Sequence, residues 1–149
     1  YGTEIGIVGD DRHGTIRTPF PGGFKFSDRN AFEKAGRTKY ENDIFNFTKK
    51  LIKIRKNHKA LSEGKLFHYY PFNNFYVYFR VLDSEKIMIV VNGSEKEQVL
   101  KLSSYSEMLK DVYEMKELID DSTFDLNEKK QIIIDGLSTK IFLLKNKIR

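Results

Sequence analysis

Residues 51–81 have the sequence LIKIRKNHKALSEGKLFHYYPFNNFYVYFRV, and within this stretch the spacing of the apolar residues changes from about four to two. Before Gly64 they recur every three or four positions, which is typical of an amphipathic helix. After Gly64 they alternate with polar residues, which is typical of strands with one buried face. The sequence therefore predicts a change of architecture near residue 62, from a helical part to an all-β part.

The clearest predicted helix covers residues 40–57, directly before this change. Either Asn42 or Asp43 is expected to cap its start, and the cations near its end suit the helix dipole. Its apolar stripe consists of Ile44, Phe47, Leu51 and Ile54.

The residues before this helix predict a short strand at 1–8 and a long loop at 9–39. A loop of about thirty residues is usually functional or disordered. Its Phe20, Phe24 and Phe26 favour an ordered loop, and we interpret them as anchors on a larger body, not as stacking platforms for a ligand. Because one strand and one helix cannot bury their faces alone, this part is interpreted as one βα unit of something larger.

The residues after Gly64 predict about seven short strands at close spacing, which indicates an antiparallel sandwich. Asn73-Asn74 and Asp83-Ser84 supply turns, and residues 105–109 predict one helical turn. The predicted strands are 66–70, 75–81, 86–92, 99–102, 112–119, 131–134 and 140–144.

Residues 67–79 are rich in aromatic side chains, since eight of these thirteen residues are Phe or Tyr. In a strand, Phe75, Val77 and Phe79 share one face. Phe side chains that fill the sandwich, with Tyr76 and Tyr78 covering an interface, are the simpler account. The alternative is a surface on which sugar rings stack, as in carbohydrate-binding modules.

Composition limits the classes of protein and site. With 40% apolar and 13% aromatic residues, the 149-residue chain is expected to fold. It contains no Cys, which excludes disulfides and thiolate metal sites. His58 and His68 have no partners at metal-ligand spacing, so we expect no metal or other cofactor. No apolar run approaches the ~20 residues of a membrane helix, so no membrane span is expected.

The net charge of +5 is concentrated in residues 1–60, which hold 13 Lys/Arg against 7 Asp/Glu. Nucleic-acid binding is one interpretation of a basic half. The basic residues are scattered along a helix and a loop, which favours a solvated face, and we expect no nucleic-acid partner. Because the chain starts at Tyr1 without a leader, it is interpreted as a cut-out segment or a processed product.

Several runs resemble the alpha-amylase family of glycoside hydrolases. YGTEIG at residues 1–6 resembles the motif at the eighth strand of the family's barrel. DRHGTIR at 11–17 and PFPGGF at 19–24 resemble the loop after that strand in cyclomaltodextrinases and neopullulanases. Three further stretches resemble the end of that loop and the eighth helix, namely residues 30–32, 36–38 and 42–61.

This resemblance implies an α+β chain made of two parts. Residues 1–62 would be the last strand, loop and helix of a TIM barrel, and residues 63–149 the antiparallel β-sandwich domain that follows it. Over residues 65–149 the resemblance rests on the pattern of strands alone.

The resemblance also implies a substrate-binding loop. In such barrels the loops after the strands face the substrate, and an Asp and an Arg of this loop bind glucose units. Asp11 and Arg17 match those positions best, and His13 adds a further hydrogen bond. Arg12 intervenes where Asp is expected directly before His-Gly, so Asp10 stays a second candidate. In the alternative, Asp11 and Arg17 pair with each other and only shape the loop.

No catalytic residue is expected in this chain. Retaining glycoside hydrolysis needs two carboxyl groups about 5–5.5 Å apart, and in the family these come from strands that would lie before Tyr1. Glu4 is interpreted as structural. The chain is therefore expected not to cleave a sugar bond by itself.

The expected partners are an alpha-glucan or maltooligosaccharide and the missing part of the barrel. Without that part, we expect self-association through the exposed apolar face of the helix. The sequence leaves the compartment open, although a periplasmic or cell-surface role fits the resemblance. The competing hypotheses are a glucan-binding module and a nucleic-acid-binding domain.

Overall fold

The computed structural model describes residues 1–9 and 12–146, so the predictions for Asp10 and Asp11 lie outside the described residues. The chain divides into two compact units, Tyr1–Lys53 and Ile54–Arg149, and each is described by itself. The division falls within the long helix, and the domain boundary at residue 62 stays a prediction.

The first residues form a 3-10 turn at Thr3–Ile5, so the predicted strand at residues 1–8 is wrong. Gly2 and Gly6 flank the turn with positive φ angles of 81° and 64°, which glycine adopts without steric strain. The amide of Ile7 donates to the Gly2 carbonyl at 3.0 Å. These local bonds use backbone groups that a strand would offer to a neighbouring strand.

Two helices complete the regular structure of the first unit, together with a 3-10 turn at Lys34–Gly36. Helix α1 covers His13–Ile16, and helix α2 covers Lys39–Asn57 and ends in the second unit. The prediction of a helix at residues 40–57 is confirmed.

Helix α2 begins with a capping box, so the predicted cap at Asn42 or Asp43 is wrong. Thr38 Oγ1 accepts the amide of Glu41 at 3.2 Å, and Glu41 Oε2 accepts the amide of Thr38 at 2.8 Å. This reciprocal pair satisfies backbone donors at the helix start. Asn42 donates to the Thr38 carbonyl at 3.2 Å, and Asp43 pairs with Lys39 one turn away.

Up to residue 146, where the described part of the chain ends, the second unit contains eight strands in two antiparallel sheets, which confirms an α+β chain with antiparallel sheets. The six-stranded sheet has the order β1-β2-β3-β8-β5-β6, and β4 pairs with β7. The seven predicted strands are present with ends shifted by a few residues, and β6 was not predicted. The strands are β1 (Lys65–His68), β2 (Phe75–Leu82), β3 (Glu85–Asn92), β4 (Gln98–Lys101), β5 (Val112–Glu117), β6 (Thr123–Asp125), β7 (Gln131–Ile134) and β8 (Ser138–Asn146).

Three short helical segments accompany these sheets. Helix α3 covers Ala60–Glu63. A 3-10 turn at Leu102–Tyr105 leads into helix α4 at Ser106–Leu109, where one helical turn was predicted.

The main core contains buried side chains from both sheets. Strand β2 supplies Phe75, Val77 and Phe79, which confirms that these three point inward. A second, smaller cluster on the other face of β3 joins Ile87 and Ile89 to Ala60. The main core is completed by Met88, Val90, Leu100, Leu102, Val112, Met115, Ile132, Ile134, Phe142 and Leu144.

Glu117 is a fully buried carboxylate at the end of β5. Its oxygens accept the backbone amides of Ile119 at 2.8 Å, Asp120 at 2.5 Å and Ile141 at 3.0 Å. Three backbone donors therefore replace the water that the carboxylate loses on burial, and they fix the turn after β5 against β8.

We predict that Phe79→Ala lowers the free energy of unfolding of the second unit by about 3–5 kcal/mol, because the lost side chain leaves a cavity. Phe79 has no exposed surface and lies between the sheets. The matched control is Tyr70→Ala, since Tyr70 is 90% exposed and its loss should change stability by less than about 0.5 kcal/mol. Urea unfolding of the two variants measures the difference, and equal midpoints would contradict this account of the core.

Candidate functional site

The loop that carries the predicted substrate-binding residues contains the single turn of α1. Arg12 precedes it in an extended conformation, with φ −87° and ψ 131°. His13 begins the turn, Arg17 follows its last residue, and both side chains are exposed to solvent. Nearby, the Tyr1 hydroxyl donates to the Thr18 carbonyl at 2.7 Å, which ties the start of the unit to the loop. Of the four predicted residues, the structure thus brings His13 and Arg17 to one short segment.

The predicted roles of Asp10 and Asp11 are not described by the structure, because both lie outside the described residues. The alternative in which Asp11 pairs with Arg17 therefore stays open, as does the choice between Asp10 and Asp11.

The aromatic residues of the loop pair with one another. The ring centroids of Phe20 and Phe32 lie 4.6 Å apart, and the stacked rings of Phe24 and Phe26 lie 5.4 Å apart. A shallow cavity of about 330 Å³ lies beside them. Phe26 is 83% exposed, so within this unit the pairs form a surface, and their role as anchors on a larger body stays a prediction.

A bidentate ion pair holds the later part of the loop to the start of α2. Arg29 Nη1 and Nη2 donate to the two oxygens of Glu41, each at 2.7 Å, and Nη1 also donates to the Gly36 carbonyl at 2.9 Å. These hydrogen bonds from Arg29 lower the pKa of Glu41 to about 2, although burial opposes the shift. Glu41 is only 9% exposed, so the pair is one of the few interior contacts of this unit.

Arg37 makes a second set of contacts within the loop. Its Nε donates to Asn42 Oδ1 at 3.0 Å, and its Nη1 donates to the Ala31 carbonyl at 3.0 Å. The guanidinium carbon lies 3.9 Å above the ring of Phe45, a distance typical of a cation–π contact. The contacts of Arg29 and Arg37 were not predicted from the sequence, although the Thr-x-x-Glu spacing of the capping box at residues 38–41 marks the helix start beside which they lie.

The second unit contains a groove of about 480 Å³ that is rich in aromatic side chains. Tyr69 forms part of its wall, with its ring 4.9 Å from Tyr105 and 5.8 Å from Phe79. Burial raises the pKa of both the Tyr69 and the Tyr105 hydroxyl, so both stay neutral at physiological pH. The groove is lined by Tyr69, Tyr70, Phe72, Asn73, Phe75, Val99, Leu100, Lys101, Ser104 and Tyr105.

Tyr76 and Tyr78, which were predicted to cover an interface and in the alternative to stack on sugar rings, do not line this groove. Tyr76 and Tyr78 lie with ring centroids 5.3 Å apart, and Tyr78 packs against the smaller cluster around Ile87. The exposed aromatic residues of the groove come instead from the hairpin connection at residues 69–74.

His58 and Glu85 of the second unit have structural contacts. His58 Nδ1 lies 2.8 Å from Glu85 Oε1, and Glu85 Oε2 accepts the amide of Ala60 at 2.7 Å. Within residues 1–9 and 12–146, no group of three or more His, Asp or Glu side chains is arranged to hold a metal ion. No helix in that same part of the chain combines the length and apolar character needed to cross a bilayer.

A model of the cyclomaltodextrinase C-terminal domain family matches residues 66–142. A cyclomaltodextrinase from Thermoanaerobacter pseudethanolicus is 31% identical over 118 residues, which are 79% of this chain and 18% of that protein. An oligo-1,6-glucosidase from Parageobacillus thermoglucosidasius is 31% identical over 94 residues, which are 61% of this chain and 15% of that protein. The chain thus spans less than a fifth of the length of these relatives.

Solved structures show the same fold. The alignment with an alpha-amylase from Anoxybacillus covers 100% of this chain and 29% of that protein, with a TM-score of 0.66 and 21% identity. The Geobacillus thermoleovorans alpha-amylase, solved in complex with acarbose, covers 75% of this chain and 24% of its own, with a TM-score of 0.63 and 18% identity. At such low identity these two structures support the fold alone.

We predict that the Arg29–Glu41 pair makes the first unit sensitive to acid. Because the folded pKa of Glu41 is about 2 against an ordinary 4.5, its stabilisation is complete above about pH 4.5 and is lost as the pH falls toward 2. The difference in unfolding free energy between the native chain and Glu41→Gln should therefore shrink over that range.

Urea unfolding followed by far-ultraviolet circular dichroism at about pH 6 and about pH 2.5 measures this change. The matched control is Asp43→Asn on the same helix, because the Lys39–Asp43 pair is largely exposed and contributes little. A difference for Glu41→Gln that does not depend on pH would contradict the prediction.

Proposed function

The chain belongs to the cyclomaltodextrinase C-terminal domain family of the alpha-amylase-type glycoside hydrolases, and from this premise we propose that it serves as the C-terminal segment of an alpha-glucan hydrolase. In this proposal residues 1–62 are the end of a TIM barrel, namely its last loop and helix, with the turn at Thr3–Ile5 in place of the predicted strand. Residues 63–149 are a β-sandwich domain that stabilises the barrel. The match of the family model to residues 66–142 is the observation that carries the proposal.

The small interior of the first unit supports a role as part of a larger body. Among residues 1–9, 12–14 and 17–53, the buried apolar side chains are those of Ile5 and Ala31. A helix with an apolar stripe normally buries that stripe against another element, yet several large apolar side chains here are exposed. These are Tyr1, Val8, Phe24, Phe26, Phe32, Tyr40, Phe47 and Ile52. The other strands and helices of a TIM barrel would cover such a surface.

The proposed sugar contacts come from the loop around α1. The exposed side chains of His13 and Arg17 offer a ring nitrogen and guanidinium donors, and sugar hydroxyls accept and donate hydrogen bonds with both. Asp10 or Asp11 is proposed to supply the carboxylate acceptor. In a complete barrel, loops that follow strands lie at the substrate end, which is where this loop is proposed to act.

The two buried carboxylates among the described residues support a segment that is not catalytic by itself. Glu41 is held by Arg29 and by the amide of Thr38, and Glu117 is held by three backbone amides. Both are therefore structural. The nucleophile and the acid that retaining hydrolysis requires are proposed to come from the part of such enzymes that this chain does not match.

We predict that the 149-residue chain binds a hydrophobic dye and self-associates through the apolar face of α2. Phe47→Lys should reduce both, because it places a charge in the middle of that face. The matched control is Asn46→Lys, which adds the same charge at the neighbouring exposed position. Dye fluorescence and sedimentation measure the effect, and a monodisperse chain without dye binding would contradict the proposal.

We predict that the chain restores hydrolysis when it replaces the matching segment of the Thermoanaerobacter pseudethanolicus cyclomaltodextrinase, whereas the chain alone releases no reducing sugar. In this chimaera Arg17→Ala should lower kcat/KM for maltooligosaccharides at least tenfold, since a hydrogen bond to a charged donor is lost. Lys25→Ala, at an exposed position of the same loop, is the control.

Two outcomes of that experiment would contradict different parts of the proposal. Starch hydrolysis by the chain alone would contradict its non-catalytic role. An active chimaera in which Arg17→Ala and Lys25→Ala behave alike would contradict the sugar contact while leaving the structural role in place.

A further inference from the structure

We propose that the aromatic groove of the second unit binds one alpha-glucan chain, with sugar rings stacked on Tyr70 and Phe72. This inference rests on the proposed function, which makes an alpha-glucan the polymer that such a protein meets. All of the residues that line the groove belong to the second unit, whereas His13 and Arg17 belong to the first.

The first observation that supports the proposal is the exposure of the groove's rim, which Tyr70 and Phe72 form. Tyr70 is 90% exposed and Phe72 is 72% exposed, whereas Phe75, three residues further along the same hairpin, is buried in the core. Exposed apolar patches on a folded surface mark interaction sites. Both side chains line the same groove, so they are accessible to a ligand there.

The rim is also held rigidly. Asn73 and Asn74 have positive φ angles of 49° and 61°, which are typical of a type I′ turn between two strands. Phe72 and Phe75 exchange two backbone hydrogen bonds, at 3.1 Å and 2.9 Å, across this turn. The Asn74 carbonyl accepts the amide of Gly93 at 2.8 Å, which anchors the turn to the end of β3. A rim that is ordered before binding loses little conformational entropy when a ligand arrives.

The wall beneath the rim is continuous with the core. The Tyr69 ring meets the rings of Phe79 and Tyr105 edge-on, and Leu100 is buried beside them. The groove is thus a preformed concavity, and its volume of about 480 Å³ lies within the usual range for small-ligand sites.

The polar groups of the groove select the class of ligand. Asn73 offers an amide, Ser104 a hydroxyl and Lys101 an ammonium group, and Tyr69 and Tyr105 carry neutral hydroxyls. These groups supply both donors and acceptors, and none of the residues that line the groove is a carboxylate. Flat apolar rings beside groups that both donate and accept hydrogen bonds suit a polyol with apolar ring faces, which is the chemistry of a glucan.

The experiment titrates the 149-residue chain with maltohexaose and follows binding by calorimetry. Saturable binding is expected, and Tyr70→Ala and Phe72→Ala should each weaken it roughly tenfold, because one stacking contact is lost. Phe67→Ala, an exposed aromatic position on the neighbouring strand outside the groove, should leave the affinity within about twofold of the native value. Circular dichroism checks that each variant is folded.

Arg17→Ala separates this inference from the proposed function. Binding that survives Arg17→Ala but not Tyr70→Ala supports the groove. Binding that is lost only in Arg17→Ala assigns the glucan to the loop, which overturns the groove and leaves the proposed function standing. The absence of saturable binding also overturns the inference. So does a result in which Tyr70→Ala and Phe72→Ala abolish self-association but leave maltohexaose binding unchanged, because the groove then binds another copy of the chain.

Discussion

The need to cover the apolar face of an amphipathic helix is the constraint on which the character of this chain depends. In the second unit the apolar faces of the strands are buried, because its two antiparallel sheets place their inward side chains in one shared core. The first unit does not, since Phe47 and Ile52 of α2 remain exposed. One part of the chain therefore has its own interior, whereas the other keeps large apolar side chains exposed.

Charged and polar contacts hold the later part of the loop before α2, a segment with few buried apolar side chains. The guanidinium groups of Arg29 and Arg37 contact side chains and carbonyls around the start of α2, and Glu41 serves both the ion pair and the capping box. Such contacts are directional, so they fix the course of the backbone without requiring a core. The loop can in this way keep a defined shape while its phenylalanines stay exposed.

The sequence predicted the elements whose period is strong and missed those that depend on single contacts. Strands β2 and β3 were predicted because each is a run of eight residues with a high apolar or aromatic content, whereas β6 has three residues and too short a pattern to detect. The strand at residues 1–8 was wrong because Gly2 and Gly6 permit a local turn that apolar content does not indicate. Of the candidate site, the positions of His13 and Arg17 on one loop followed from the resemblance. The groove did not, because the exposure of Tyr70 is set by tertiary packing.

The aromatic stretch from residue 67 to residue 79 shows why core and binding surface need not be alternatives. Strand β2 alternates, so Phe75 and Phe79 are fixed in the core by the same pleat that turns Tyr76 to the opposite face. Between His68 and Asn73 the chain belongs to no strand, although Phe72 bridges Phe75, and Tyr70 and Phe72 stay exposed. The aromatic residues of one run thus divide into those that pack in or against the core, such as Tyr69 and Phe75, and those that face solvent. Composition alone cannot separate the two, since the separation lies in the backbone.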